Sequence, residues 1–317
     1  LNVPVPTITG YSTQMQNIGK VQNRGMEFTL NTKNLTGEFA WSSNFNISFN
    51  KNKVLEVGVD GRPIYGSAAN ANNAFITKPG YPIASFYGYK YIGVFQSEEE
   101  LAKYPHLSGD KVGDGRYEDV NKDGVLDQND KTILGDNNPL FTAGFSNSFS
   151  YKNFTLDIQF TGSYGAEVFS FYKRMCGIYH GDRNGMIEQL GRWQSKDQPG
   201  DGIHFRPTRT PSGWQRDPSS AWVQDASYLR LRNLTLGYNF DQKVLDKMKM
   251  KGLRLYVTGQ NLFTITNYVG YDPETSSESG LAQGGDYLGY PAARSFIIGA
   301  NLSLIHISEP TRLALIS

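Results

Sequence analysis

Hydrophobic and polar residues alternate with a period of two over several long runs. That pattern places successive side chains on opposite faces of an extended strand. In 38–50, Phe39, Trp41, Phe45, Ile47 and Phe49 share one face, while Ala40, Ser42, Asn44, Asn46, Ser48 and Asn50 share the other. In 141–151, Phe141, Ala143, Phe145, Phe149 and Tyr151 oppose Thr142, Gly144, Ser146, Ser148 and Ser150. In 154–164, Phe154, Leu156, Ile158, Phe160 and Tyr164 oppose Thr155, Asp157, Gln159, Thr161 and Ser163. Each run covers about 10–13 residues, near the length of a tilted membrane-crossing strand and about twice that of an ordinary one. The apolar face is aromatic at both ends, as the girdles at two membrane interfaces require. The fold class this predicts is all-β, an antiparallel transmembrane β-barrel. A soluble sandwich would show shorter strands with a mostly aliphatic inner face.

The connections support the barrel. Lys33 to Gly37 predicts a tight turn between a strand ending near Asn31 and one beginning near Glu38, and Lys152-Asn153 predicts another, with Asn153 supplying the positive φ. Asp241–Gly252 makes a modest connection between strands 228–240 and 253–264. Long polar stretches at 51–83, 165–224 and 265–292 lie on the opposite side. Short turns at one end and long loops at the other are the outer-membrane pattern, with the long loops outside the cell. Strand direction allows only an even number of crossings between 51 and 140. The segment 84–140 is therefore expected to be an extracellular excursion, with an extra membrane hairpin through Phe86–Phe95 as the alternative. In 228–240 the apolar parity changes: Leu229 and Leu231 share one face, then Leu234, Leu236, Tyr238 and Phe240 take the other. One extra residue near Arg232-Asn233, a β-bulge, would restore a single apolar face.

Composition narrows the function classes. The 317 residues carry 31 Lys+Arg against 30 Asp+Glu, a net charge of +1, with no basic stripe to bind nucleic acid. Aromatics make up 13% and Gly numbers 34, while mean hydropathy is negative. No run approaches the roughly 18 apolar residues of a membrane helix. Barrel strands, which alternate lipid-facing and lumen-facing residues, fit that composition. Cys176 is the single cysteine, which excludes a disulfide framework and reads as a lone loop thiol. The chain opens at Leu1 in mid-pattern without an initiator Met, which points to truncation.

One segment carries ligand chemistry. Residues 119–130 read DVNKDGVLDQND, with Asp119, Asn121 and Asp123 at loop positions 1, 3 and 5 and Gly124 at the sharp bend. The Val125 carbonyl, Asp127 and Asp130 complete a set of oxygens suited to structural Ca²⁺. Position 12 is Asp rather than the longer Glu, and no flanking helices are evident, so a stand-alone, dockerin-type calcium loop is expected. The plain alternative is an acidic Asn/Gly turn without metal.

Little else points to chemistry. No Ser/His/Asp or Cys/His set exists, and His106, His180, His204 and His306 lack ligand spacing. Glu98, Glu99 and Glu100 before Leu101 read as the solvated face of a short loop helix. Paired carboxylates for glycoside hydrolysis are the weakest reading, and no enzyme is expected. Trp193, Trp214 and Trp222, with Arg192, Arg206 and Arg209, fall in one long loop. They could stack and hydrogen-bond a substrate, or pack the loop against itself or a partner.

These motifs resemble the SusC/RagA family of TonB-dependent outer-membrane transporters of Bacteroidota. The similar stretches are NRGMEFTLNTKN at 23–34, SFYGYKYIGVFQS at 85–97, YEDVNKDGVLDQND at 117–130 and SYGAEVF at 163–169. DASYLRLRNLTLGYNF at 225–240, LYVTGQNLFTITNYVGYDPE at 255–274 and YPAARSFIIGANLS at 290–303 follow. The resemblance implies a 22-stranded barrel around an N-terminal plug, with 1–301 as its C-terminal part. It implies import of glycans, or in some members peptides, energised by TonB–ExbB–ExbD and capped by a SusD-like lipoprotein. A siderophore or cobalamin receptor and a soluble, calcium-stabilised carbohydrate-binding β-protein are the alternatives. Ser295–Asn301 still alternates, but Leu302–Arg312 resembles the translation of a transposase-type sequencing adaptor. The segment 302–317 is therefore set aside as non-native, which would leave the chain without its terminal aromatic residue.

Overall fold

The computed structural model describes residues 2–4, 10, 13–15, 19–58, 61–68, 71–177, 184–207, 218–274 and 280–304. Seven long strands form one antiparallel wall: β1 (Gly19–Thr36), β2 (Phe39–Val57), β3 (Phe141–Tyr151), β4 (Phe154–Tyr164), β5 (Tyr228–Asn239), β6 (Met250–Thr266) and β7 (Ser295–Leu304). Their order across the wall is their order along the chain, so each pairs with its sequence neighbours. β3 and β4 coincide with the runs read from alternation. β2 reaches Val57 rather than Asn50, because 51–57 keeps pairing with β1 beyond the apolar part of the strand. β7 pairs with β6 as far as Leu304, so Leu302–Leu304 continue the ladder. Residues 305–317 lie outside the described residues.

The registers line up apolar side chains in rows. Leu30, Phe45, Phe145, Phe160, Leu231 and Phe263 stand side by side across six strands. Trp41, Phe149, Leu156, Leu236, Val257 and Ile298 form a second row. These rows are on the surface: Leu30 is 59% exposed, Leu236 52% and Ile298 84%. An exposed apolar face of this extent is the lipid-facing side of a transmembrane barrel wall. The opposite face carries Ser42, Ser148, Asp157, Thr235 and Thr258 in one row.

The bulge expected in β5 is present. Leu231 faces Phe160 while Asn233 faces Gln159, which leaves Arg232 as the extra residue. Leu229 and Leu231 thereby join Leu234, Leu236 and Tyr238 on the apolar side. The turn at Lys152-Asn153 differs from expectation. Positive φ falls on Lys152 (51°), not on Asn153. The Asn153 amide is instead committed outward, donating to Asp241 Oδ1 at 2.8 Å in the next short connection. That connection contains a short helix, Gln242–Met248, ending in left-handed Lys249.

A short polar row, Thr32, Ser43 and Asn147, interrupts the apolar face. Asn147 shares the parity of Phe145 and Phe149, yet it is only 9% exposed. Its Oδ1 accepts from Trp41 Nε1 at 3.0 Å and Ser43 Oγ at 2.7 Å. The neighbouring indole and hydroxyl thus satisfy an amide that hydrocarbon would otherwise penalise.

The long connections are not structureless. Strands 64–68, 71–77, 85–88 and 132–135 form a four-stranded sheet of their own. Strands 91–94 and 115–117 pair separately, as do 167–170 with 223–225 and 285–286. No described strand between 58 and 140 joins the wall, which passes directly from β2 to β3. A core of Phe75, Phe86, Phe169, Phe171, Phe205 and Trp222 unites these pieces into one loop body. Aromatic burial, which polarity along the sequence concealed, is what folds them.

Substituting Asn147→Ala leaves Trp41 Nε1 and Ser43 Oγ without their acceptor. We expect a loss of about 1–3 kcal/mol, read as a lower urea midpoint of the complete receptor in detergent. An unchanged midpoint would show that this network contributes nothing.

Candidate functional site

The loop body sits at the end of the wall from which the long connections leave, so the candidate chemistry gathers there. The acidic loop leaves the 115–117 strand and winds tightly. Asp119 Oδ1 accepts from Lys122 N at 2.7 Å and Oδ2 from Gly124 N at 2.9 Å. Asn121 Oδ1 accepts from Asp123 N, and Asp123 Oδ1 from Val125 N. Gly124 takes φ +84°, the sharp bend expected of it. Asp130 is fully buried; Oδ1 accepts from Val120 N and Oδ2 from Asp127 N, which pins the two ends of the loop together. Asp127 caps the short 128–130 helix that carries Asp130.

The oxygen-only donor set fits a hard cation. In the observed arrangement, however, its carboxylates are occupied by the loop's own N–H groups. Among the described residues, no three His, Cys, Asp or Glu side chains converge to hold a metal. Asp119, Asn121, Asp123, Val125, Asp127 and Asp130 would hold Ca²⁺, which would supply structural rigidity and no reaction step.

The tryptophans are placed differently from one another. Trp222 is 3% exposed and packs in the loop-body core, its ring 6.2 Å from Phe205. Trp193 lies half-buried against Gly113, where any side chain would collide with the indole. Trp214 and Arg209 lie outside the described residues. Arg206 pairs with buried Asp114 at 2.8 Å, and Arg192 donates to the Gln189 carbonyl at 3.1 Å. Both described arginines therefore hold the loop body together.

Sequence reasoning missed the strongest electrostatic cluster. Arg230 is 2% exposed; its Nη2 reaches Asp272 Oδ1 at 2.6 Å and its Nη1 reaches Glu274 Oε2 at 2.5 Å. Arg232 and the Tyr228 hydroxyl both donate to Glu274 Oε1. Asp272 Oδ2 also accepts from Ala292 N at 2.9 Å. This network fastens the end of β5 to the connection that follows β6. Burial raises the Asp272 pKa, but hydrogen bonds from Arg230 and from the N–H groups of Ala292 and Glu274 outweigh it, holding the carboxyl below its ordinary value. The available signal was the pairing of alternate arginines in LRLR with the two acids of YDPE, separated by some forty residues that only folding brings together.

A wall of long antiparallel strands, apolar on one face and polar on the other, with a folded body on its long-connection end, is the wall of a transmembrane β-barrel. Comparison with known proteins specifies it. The chain is 36% identical to TonB-dependent receptor P3 of Formosa agariphila, over 94% of the chain and 30% of that protein. It is 34% identical to TonB-dependent receptor P26 of the same organism, over 96% of the chain and 31% of that protein. TonB-dependent receptor SusC of Bacteroides thetaiotaomicron is 29% identical over 95% of the chain and 28% of its own length. No protein-family model matches. The RagAB peptide transporter contains a chain that superposes with TM-score 0.75 at 22% identity, over 95% of this chain and 31% of that one. The chain belongs to the TonB-dependent receptors, which are not enzymes. It spans about 30% of the length of the curated relatives it matches.

Because the Asp272 pKa is depressed, its stabilisation is present above the ordinary carboxylate range and is lost as pH falls through the folded value. Melting of the complete receptor between pH 7 and pH 3 should fall less steeply for Asp272→Asn than for wild type. Arg230→Ala, which strands the buried carboxylate of Asp272, should cost about 3–5 kcal/mol at neutral pH. Equal melting slopes would remove Asp272 from the account.

Proposed function

We propose that this chain forms the C-terminal barrel portion of a SusC-like importer in the outer membrane, moving an oligosaccharide or a peptide inward. The observation that carries the reading is the continuous apolar face across the wall, joined to kinship with TonB-dependent receptors. A strand wall with that face needs lipid on the outside, and its polar side suits a hydrated path. The loop body would meet a SusD-like lipoprotein, and TonB–ExbB–ExbD would act through parts of the receptor beyond this chain. The RagAB peptide transporter, whose fold the chain shares, favours a peptide; a glycan follows from the family that the sequence motifs resemble.

Two measurements test this. The complete receptor, expressed in a Gram-negative host, should fractionate with the outer membrane; recovery in the soluble fraction would defeat the barrel reading. A deletion strain should lose growth on one glycan or peptide source and keep it on free glucose or amino acids. Growth unimpaired on every source in the panel would defeat the import reading.

The acidic loop is proposed as a structural Ca²⁺ site. At calcium near one hundred times its dissociation constant, binding stabilises the folded receptor by about 2.7 kcal/mol. Melting should therefore drop when EGTA replaces calcium, and Asp119→Ala should abolish the difference. Identical melting with calcium and with EGTA would establish the loop as an acidic turn without metal.

A further inference from the structure

Two hollows adjoin on the apolar side of the wall, near the end from which the long connections leave. The first, of about 700 Å³, opens over β3 and β4. Its floor is Ala143 opposite Gly162, two residues too short to fill their place in the row. Ile47 beside Ala143 and Leu229 beside Gly162 bound it on the flanks. One row towards the outer end, the Phe141 and Tyr164 rings stack at 5.5 Å; one row the other way, Phe145 stands opposite Phe160. The result is an apolar slot between two aromatic layers, open on the side that faces the membrane.

The second hollow, of about 790 Å³, lies where β2 runs on past Ser48, the last of its residues to pair with β3. Lys51 and Lys53 follow Phe49 on the same face of β2, and Arg24 of β1 stands opposite Lys51. All three are exposed. Asp136 is the acid that lines this hollow, and its Oδ1 accepts from Asn138 N and Nδ2, both at 2.8 Å. Among the described residues, no carboxylate is ion-paired with Arg24, Lys51 or Lys53. Three basic groups against one acid leave a local excess of positive charge.

The hollows differ in level as the two ends of a lipid do. Phe49 and Phe141, their rings 6.0 Å apart, lie between them in the aromatic girdle. Lys51 is two residues beyond that girdle, while Ala143, opposite Ile47, is two residues short of it. Four residues of a strand tilted by about 40° separate the two levels by about 10 Å along the membrane normal. The headgroup zone of one leaflet is only about 5–8 Å deep. Charges placed among the headgroups therefore put the slot in hydrocarbon. Sideways, the two are one to two strand spacings apart, about 5–10 Å.

We propose that the two hollows form one site for a single outer-leaflet lipid with a phosphorylated headgroup. Its phosphate sits at Arg24, Lys51 and Lys53, and one acyl chain fills the slot over Ala143 and Gly162. Excess positive charge selects phosphate over a neutral headgroup, each basic residue adding about fivefold in affinity. The proposal rests on the barrel reading, because it takes the apolar face to be in lipid.

The test is native mass spectrometry of the complete, detergent-purified receptor with dipalmitoyl phosphatidic acid. Dipalmitoylglycerol keeps the chains without the phosphate, and glycerol phosphate keeps the phosphate without the chains. Phosphatidic acid should bind about tenfold tighter than either. Replacing both lysines, Lys51→Gln with Lys53→Gln, should weaken it by about twentyfold. Ala143→Leu, which fills the slot, should weaken it by about fivefold. Melting temperatures should not change. Lys247→Gln, an exposed change in the short connection at the opposite end of the wall, should leave the affinity as it is. The proposal is overturned if dipalmitoylglycerol or glycerol phosphate binds as tightly as phosphatidic acid, or if either folded variant keeps full affinity. It is also overturned if Lys247→Gln costs as much as the lysine pair. Fractionation separates the two readings. Outer-membrane recovery without a preference for phosphatidic acid defeats the lipid site alone, whereas recovery in the soluble fraction defeats the barrel.

Discussion

Backbone hydrogen bonding across the wall governs everything else in this molecule. Within lipid no water can satisfy an N–H or C=O, so each crossing strand has to be bonded by strands on its flanks. The ladder from Thr142 opposite Ser48 to Tyr151 opposite Phe39 is the decisive case. It joins β2 to β3 although the residues between them make up more than a quarter of the described chain. Once that ladder forms, everything between the two strands has to leave the wall at one end and fold elsewhere. The same holds between β4 and β5, and the two excursions meet in a shared core containing Phe75 and Phe169.

Polar groups placed in low-dielectric surroundings follow one rule at both levels of the structure. Asn147 on the lipid side is matched by Trp41 and Ser43. Arg230, almost fully buried near the outer rim, is matched by Asp272, Glu274 and Thr264. Each set has few members, and nearly every polar atom in it has a partner. That completeness separates a stabilising buried network from a costly one. The Arg230 set also has a mechanical consequence, since it clamps a connecting loop to the end of a rigid strand.

Aromatic residues serve two environments that sequence alone does not separate. Phe45, Phe145 and Phe160 face lipid in one row. Phe86, Phe171 and Trp222 fill the loop-body core with almost no exposure. An aromatic on a regular alternating strand and an aromatic in an irregular loop thus bury against different partners. The loop residues Trp193, Trp222 and Arg206 look like ligand contacts in the sequence, and folding gives them structural roles first.

The sequence by itself determined the strands and their faces. Period-two alternation located β3 and β4 to the residue, because side-chain direction in a strand is a local property. The parity change at Arg232 exposed the bulge for the same reason: one inserted residue reverses every side chain beyond it. The spacing of Asp119, Asn121, Asp123 and Gly124 likewise foretold a tightly wound loop, since its bonds join residues a few positions apart. Only the tertiary structure decided that Trp222 is buried and that Arg230 meets Asp272 and Glu274. Each of these joins positions far apart in the chain, and no local periodicity records which distant residue a side chain will meet.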